Sequence, residues 1–131
     1  MLRVPAAAAL RRSLLVLAFL AGLGAGLYLG AVVREGHAQS PEVAAALHAA
    51  AQEYGVSEAW MRRISWCESR FWPGAVSRGG HQGLFQFSPR TYAWMAEQAG
   101  LAGTSPFDPW SAARVAAWGL SHGYAGHWSC R

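Results

Sequence analysis

The stretch Trp66–Phe87, WCESRFWPGAVSRGGHQGLFQF, sets a lone carboxylate, Glu68, between a cysteine and a serine amid large aromatic rings. Only seven acidic residues occur in the 131-residue chain, so an acid in such company needs a physical reason. Ser57 is suited to cap a helix that runs to about Arg70 and stops before Pro73. At about 100° per residue, Trp60, Ile64, Cys67 and Phe71 share one narrow stripe of that helix, the side expected to face the core. Arg62, Ser65 and Ser69 fall opposite. Glu68 lands at the border of the apolar stripe in the last turn, where partial desolvation and the negative helix end both favour the neutral acid. A carboxyl that keeps its proton near neutral pH is what general acid catalysis requires. The competing reading is a solvated helix-edge glutamate paired with Arg63 or Arg70.

Outward from this helix, punctuation residues divide the chain. Ser40 followed by Pro41 opens an alanine-rich helix that runs to Tyr54 and ends at Gly55. Pro73 and the glycines make Trp72–Gln82 a loop, and Gly83–Phe87 reads as a short strand or extended segment. Ser88-Pro89 opens a third helix ending near Gly100, and Asp108-Pro109 a fourth ending near Gly123. The expected fold is mainly α: a small helical domain at 40–131 with a short extended segment or loop lining a groove. Seven tryptophans are many for so small a core. They fit either added core stabilisation or a carbohydrate groove, since indole faces pack on sugar C–H surfaces.

Residues 1–39 are set apart as a signal peptide or membrane anchor. Arg3, Arg11 and Arg12 precede the uncharged run Ser13–Val33, whose 21 residues are long enough to span a bilayer. Two outcomes fit: cleavage near Ala38, with small residues Gly36 and Ala38 two apart, or retention as an anchor with the arginines on the cytoplasmic side. Both export the rest to a periplasmic or cell-envelope location. The leader carries Arg3, Arg11, Arg12, Arg34 and Glu35, net +3 of the chain's +4, so the remainder is nearly neutral. It also lacks lysine, which argues against nucleic acid as a partner.

Both cysteines, Cys67 and Cys130, lie in the exported part, where an oxidising compartment makes a disulfide the default. A metal site from His122, His127 and Cys130 is the alternative, but its spacing matches none of the usual zinc patterns.

Taken together, the block from Glu68 to Thr91 resembles the lytic transglycosylases of the soluble type and their relatives, including goose-type lysozymes, in the lysozyme-like superfamily. These share a Glu-Ser pair at a helix end, a loop carrying Pro and Ala, and Gly-Leu-Met-Gln or a close variant. Here these are Glu68-Ser69, then Pro73, Ala75 and Ser77, then Gly83-Leu84-Phe85-Gln86, followed by Pro89 and Thr91. The resemblance implies a lysozyme-like fold, Glu68 as acid/base catalyst, and substrate-binding positions at Ser69, Gly83, Phe85 and Gln86. The Ala-Tyr-Asn triplet many members carry late in the chain does not occur; Tyr124 is the candidate for its tyrosine. A Cys67–Cys130 bond would hold the Glu68 helix in place.

A two-carboxylate glycosidase places its second group roughly 5–9.5 Å from the acid. Downstream of Glu68 only Glu97 and Asp108 remain; Asp108 is better explained as a helix cap and Glu97 as solvent-facing. A lone acid fits a reaction whose nucleophile is in the substrate: cleavage after N-acetylmuramic acid with closure to a 1,6-anhydro sugar. The alternatives are a muramidase, hydrolysing with the same glutamate and a positioned water, and a non-catalytic wall-binding module. Peptidoglycan is the expected partner, with the membrane if the leader stays and a secretion or division machine beyond that. Acid/base cleavage of a glycoside requires no metal or organic cofactor.

Overall fold

The computed structural model describes residues 39–130, and the leader expectations for 1–38 lie outside them. Four α-helices follow one another: α1 (Pro41–Tyr54), α2 (Glu58–Ser69), α3 (Pro89–Gln98) and α4 (Pro109–Ser121), with a 3-10 turn at Tyr124–His127. Each starts as its sequence dictates. The side chains of Ser40, Ser57, Ser88 and Asp108 accept from the backbone N–H of Val43, Trp60, Thr91 and Ser111, satisfying donors that the first helical turn leaves open. Proline occupies the first turn of α1, α3 and α4. Gly55, left-handed at φ 66°, closes α1. The architecture is the expected mainly α one, and none of the described helices is long and apolar enough to cross a membrane.

α1 and α4 make the main helix pair. The faces they bury are mostly small, Ala46, Ala50 and Ala51 on α1 and Ala112, Ala113, Ala116 and Ala117 on α4, so the two backbones approach closely. Leu47, Val43 and Val115 fill what remains. At the other end of the core the rings of Phe85, Phe87, Tyr92 and Trp128 cluster, with centroids 5.3–6.2 Å apart between neighbours. Their tilted and edge-on geometries suit the ring quadrupoles.

Two expectations need correction. The buried side of α2 is Met61, Ile64 and Ser65, not the stripe Trp60–Ile64–Cys67–Phe71. Trp60 and Phe71 are only partly buried, and Cys67 turns outward to bond Cys130. Hydrophobicity alone put Ser65 on the solvent side, yet it is fully buried, its small side chain filling the seam. The rotated phase puts Glu68, at i+3 from Ser65 and i+4 from Ile64, in line with the buried face rather than at its border. The second correction concerns Gly83–Phe87, which is no strand. Residues 83–86 form a turn closed by paired Gln82 and Phe87, whose N–H groups donate to each other's carbonyls at 2.8 and 3.0 Å. Gly83 at φ 75° and Gln86 at φ 48° sit in the left-handed region, which breaks any extended run.

Candidate active site

The last turn of α2 carries Glu68 to the wall of an open cleft of about 580 Å³, lined also by Ser77, His81, Gln86, His127 and Ser129. Three segments build it. α2 supplies the carboxyl, the 75–87 loop one wall, and the chain from Gly126 to Ser129 the other. Two hydrogen-bonded seams hold these pieces in register. Ser69 Oγ lies 2.9 Å from the Leu84 carbonyl and 3.0 Å from the Ser65 carbonyl, so its hydroxyl proton ties the helix end to the 83–86 turn. Trp128, 3% exposed, drives its indole into the core, and its Nε1–H donates to the Phe85 carbonyl at 2.9 Å. The disulfide Cys67–Cys130 then anchors the far wall beside Glu68 itself.

Gln86 is held from behind. Its Nε2 donates to the carbonyls of Gly83 at 2.9 Å and Ala75 at 3.3 Å, which leaves its Oε1 as the group it offers to the cleft. A left-handed non-glycine backbone at this position is a strained feature of the kind that functional sites retain. Around Glu68 the electrostatics are simple. Burial withdraws water from its carboxyl and pushes its pKa above the ordinary carboxylate range, while the charge His81 can carry pulls it back. Of the other carboxylates downstream, Glu97 is exposed on α3 and Asp108 accepts from Ser111 N–H at 2.8 Å as a cap. Neither lines the cleft, so Glu68 is its carboxylate among the described residues.

The structure brings Glu68 and Gln86 into one cleft, whereas Ser69 is not in its lining, its hydroxyl held between the Ser65 and Leu84 carbonyls behind it. It sets the other sequence candidates apart. The Phe85 ring is fully buried and its carbonyl is taken by Trp128, so Phe85 offers the cleft neither. Gly83 is packed against the 105–108 segment: a Cβ there would meet the Pro106 carbonyl oxygen at 1.9 Å. Its glycine serves that approach. Tyr124 is outside the cleft lining, stacked on Trp118 at 5.8 Å and edge-on to Trp94 at 5.3 Å. His81 and Ser129 are cleft residues the sequence reading did not select, while Ser77 entered only as part of the motif and His127 only as a candidate metal ligand. His81 carried one visible signal, its place two residues before the Gly-Leu-Phe-Gln run. The aromatic load divides: Trp128 is core, Trp60 and Trp118 pack against it, and the exposed Trp66, Trp72, Trp94 and Trp110 are all outside this cleft. Cys130, bonded to Cys67, has no thiolate to give a metal with His122 and His127.

A carboxyl with a raised pKa and a glutamine line the same cleft, beside a turn linked to Ser69, and a carboxyl so placed can supply a proton to a bound polar group. Residues 45–128 match the family model described as the transglycosylase SLT domain. The chain belongs to this transglycosylase family. No curated protein matches it. The match runs from within α1 to Trp128 and so includes every cleft-lining residue but Ser129. Membership makes peptidoglycan the substrate of this transglycosylase domain and lytic transglycosylation its general activity. The lysozyme-like, mainly helical fold agrees.

Proposed function

We propose that this transglycosylase cuts the β-1,4 bond after N-acetylmuramic acid with Glu68 as the acid and base of both half-steps, leaving a 1,6-anhydro end. In the first, the Glu68 carboxyl gives its proton to the glycosidic oxygen as the bond from C1 breaks. In the second, the C6 hydroxyl oxygen closes on C1 and its proton passes to the Glu68 carboxylate. The acid is regenerated, and neither water nor a second carboxylate is consumed. The observation that carries the reading is that Glu68 is the cleft's carboxylate among the described residues and that burial raises its pKa above that of an ordinary carboxylate. A second carboxylate would be needed in most hydrolases to activate water or trap the sugar. Gln86 Oε1 is placed to accept from a substrate N–H or hydroxyl.

The proposal includes location: the domain works outside the cytoplasm, exported by the 1–39 leader and either anchored or released. The disulfide supports this, because such bonds persist in oxidising compartments. The test digests purified sacculi with the full-length protein and weighs the released muropeptides, with Glu68→Gln as control. Anhydro ends, lighter by one water than reducing ends and absent with Glu68→Gln, are the expected products. Reducing ends would make the protein a muramidase, and no release at all would make it a wall-binding module.

A further inference from the structure

The turn that opens the 77–87 wall is a small closed device built around one imidazole. Ser77 N–H donates to the His81 carbonyl at 3.0 Å, Gly80 N–H to the Ser77 carbonyl at 3.0 Å, and His81 N–H to Ser77 Oγ at 3.1 Å. Gly80, left-handed at φ 81°, allows the chain to fold back this tightly. Inside the turn, His81 Nδ1 lies 3.3 Å from the same Ser77 Oγ. Gly79 leaves the ring its space: a Cβ at that position would meet Nδ1 at 3.3 Å and Cε1 at 3.4 Å.

These contacts are compatible with a hydrogen on Nε2 of His81. Ser77 Oγ already accepts from the His81 backbone N–H, so its own proton is free to be given, and Nδ1 is its neighbour. A neutral imidazole that accepts at Nδ1 carries its hydrogen on Nε2. In that state, as in the protonated ring, His81 carries an N–H on Nε2 and lines the cleft together with Glu68, with His127 the other titratable group there. A donor is what the second half-step lacks. The C6 hydroxyl must turn its oxygen toward C1 and its hydrogen toward the Glu68 carboxylate, and a donor on the remaining lone pair fixes both directions at once.

We infer that His81 is the product-determining residue of this site: held by Ser77, its Nε2–H grips the C6 hydroxyl oxygen of the N-acetylmuramic acid ring and selects ring closure over attack by water. The inference rests on the transglycosylase reading above. It assigns His81 no proton transfer, so the bonds formed and broken remain those already given.

Two substitutions separate this role from a purely structural one. Asparagine places its amide near the Nδ1 position and keeps the Ser77 contact but does not reach the cleft, whereas glutamine reaches the Nε2 position with an N–H. One neutral hydrogen bond expressed in the closing step corresponds to roughly a five- to tenfold change in partition. The full-length protein and both variants are given sacculi under single-hit conditions, and the ratio of anhydro to reducing ends is measured by mass. The expected result is that His81→Asn lowers the ratio about five- to tenfold, with little change in KM, and that His81→Gln restores most of it. If the parent makes anhydro ends and His81→Asn keeps the ratio within twofold, this inference falls while the transglycosylase reading stands, even if turnover drops. Reducing ends from the parent would overturn both.

Discussion

Removing the Cys67–Cys130 bond separates its two roles, and their magnitudes follow from the fold. The bond joins cysteines at a sequence separation of 63, and constraining the unfolded chain over that length stabilises the native state by about 4 kcal/mol. A domain of 92 described residues gains about 0.2 kcal/mol/K of entropy on unfolding, so Cys67→Ser/Cys130→Ser should lower Tm by about 20 °C. Total stability for this size is roughly 5–14 kcal/mol, so the variant remains folded in the cold. The second role is local. The far wall of the cleft is also held by Trp128, whose burial alone contributes about 2–3 kcal/mol besides its hydrogen bond to Phe85. That wall should therefore stay docked without the sulfur bridge. The assay pairs thermal unfolding by circular dichroism with sacculus release at 10–15 °C. The expected outcome is a large loss of Tm with cold activity within threefold of the parent. A drop in Tm below about 5 °C refutes the chain-entropy argument, and a dead enzyme with an intact cold spectrum refutes the docking by Trp128.

Further expectations concern single positions. Glu68→Gln should stop turnover and leave the fold intact. Because burial raises the folded-state pKa of Glu68, its contribution is fully present below the unfolded value and lost as pH rises through the folded one. The Tm advantage of Glu68→Gln over the parent should accordingly grow from pH 4 toward neutrality, and the parent's kcat should fall as Glu68 ionises; a pH-independent Tm difference would contradict this. Gly83→Ala should cost at least about 2 kcal/mol in urea denaturation, from the left-handed φ together with the contact to the Pro106 carbonyl. Trp128→Phe keeps an aromatic ring beside Phe85 and Phe87 but orphans the Phe85 carbonyl, which should cost about 1–3 kcal/mol by the same measurement.

Helix starts were legible because each is written in a few adjacent residues: Ser40-Pro41, Ser57, Ser88-Pro89 and Asp108-Pro109 all cap as read. Glu68 was legible because one carboxylate among rings is a conspicuous energetic anomaly. The phase of α2 was not. A serine counts as polar in any periodicity, and only the packed structure shows Ser65 inside it. The 83–86 turn was misjudged for a related reason, since apolar Leu84 and Phe85 read as strand while the positive φ of Gln86 has no signature in its side chain. The pairing of histidines in the cleft was not legible: His127 was weighed only as a metal ligand, and it lies 46 positions from His81, so the two share a site only through the fold. Tyr124 drew attention by its likeness to a motif, whereas its ring is occupied by Trp118 and Trp94.

Trp128 is a core side chain on one flank and part of the cleft lining on the other. Nothing insulates durability from geometry at that point. Loosening this indole to ease the passage of a bulky, cross-linked polymer would spend stability, and repacking it for robustness would reshape the channel the polymer must thread. Attempts to broaden or harden this enzyme should leave residue 128 alone.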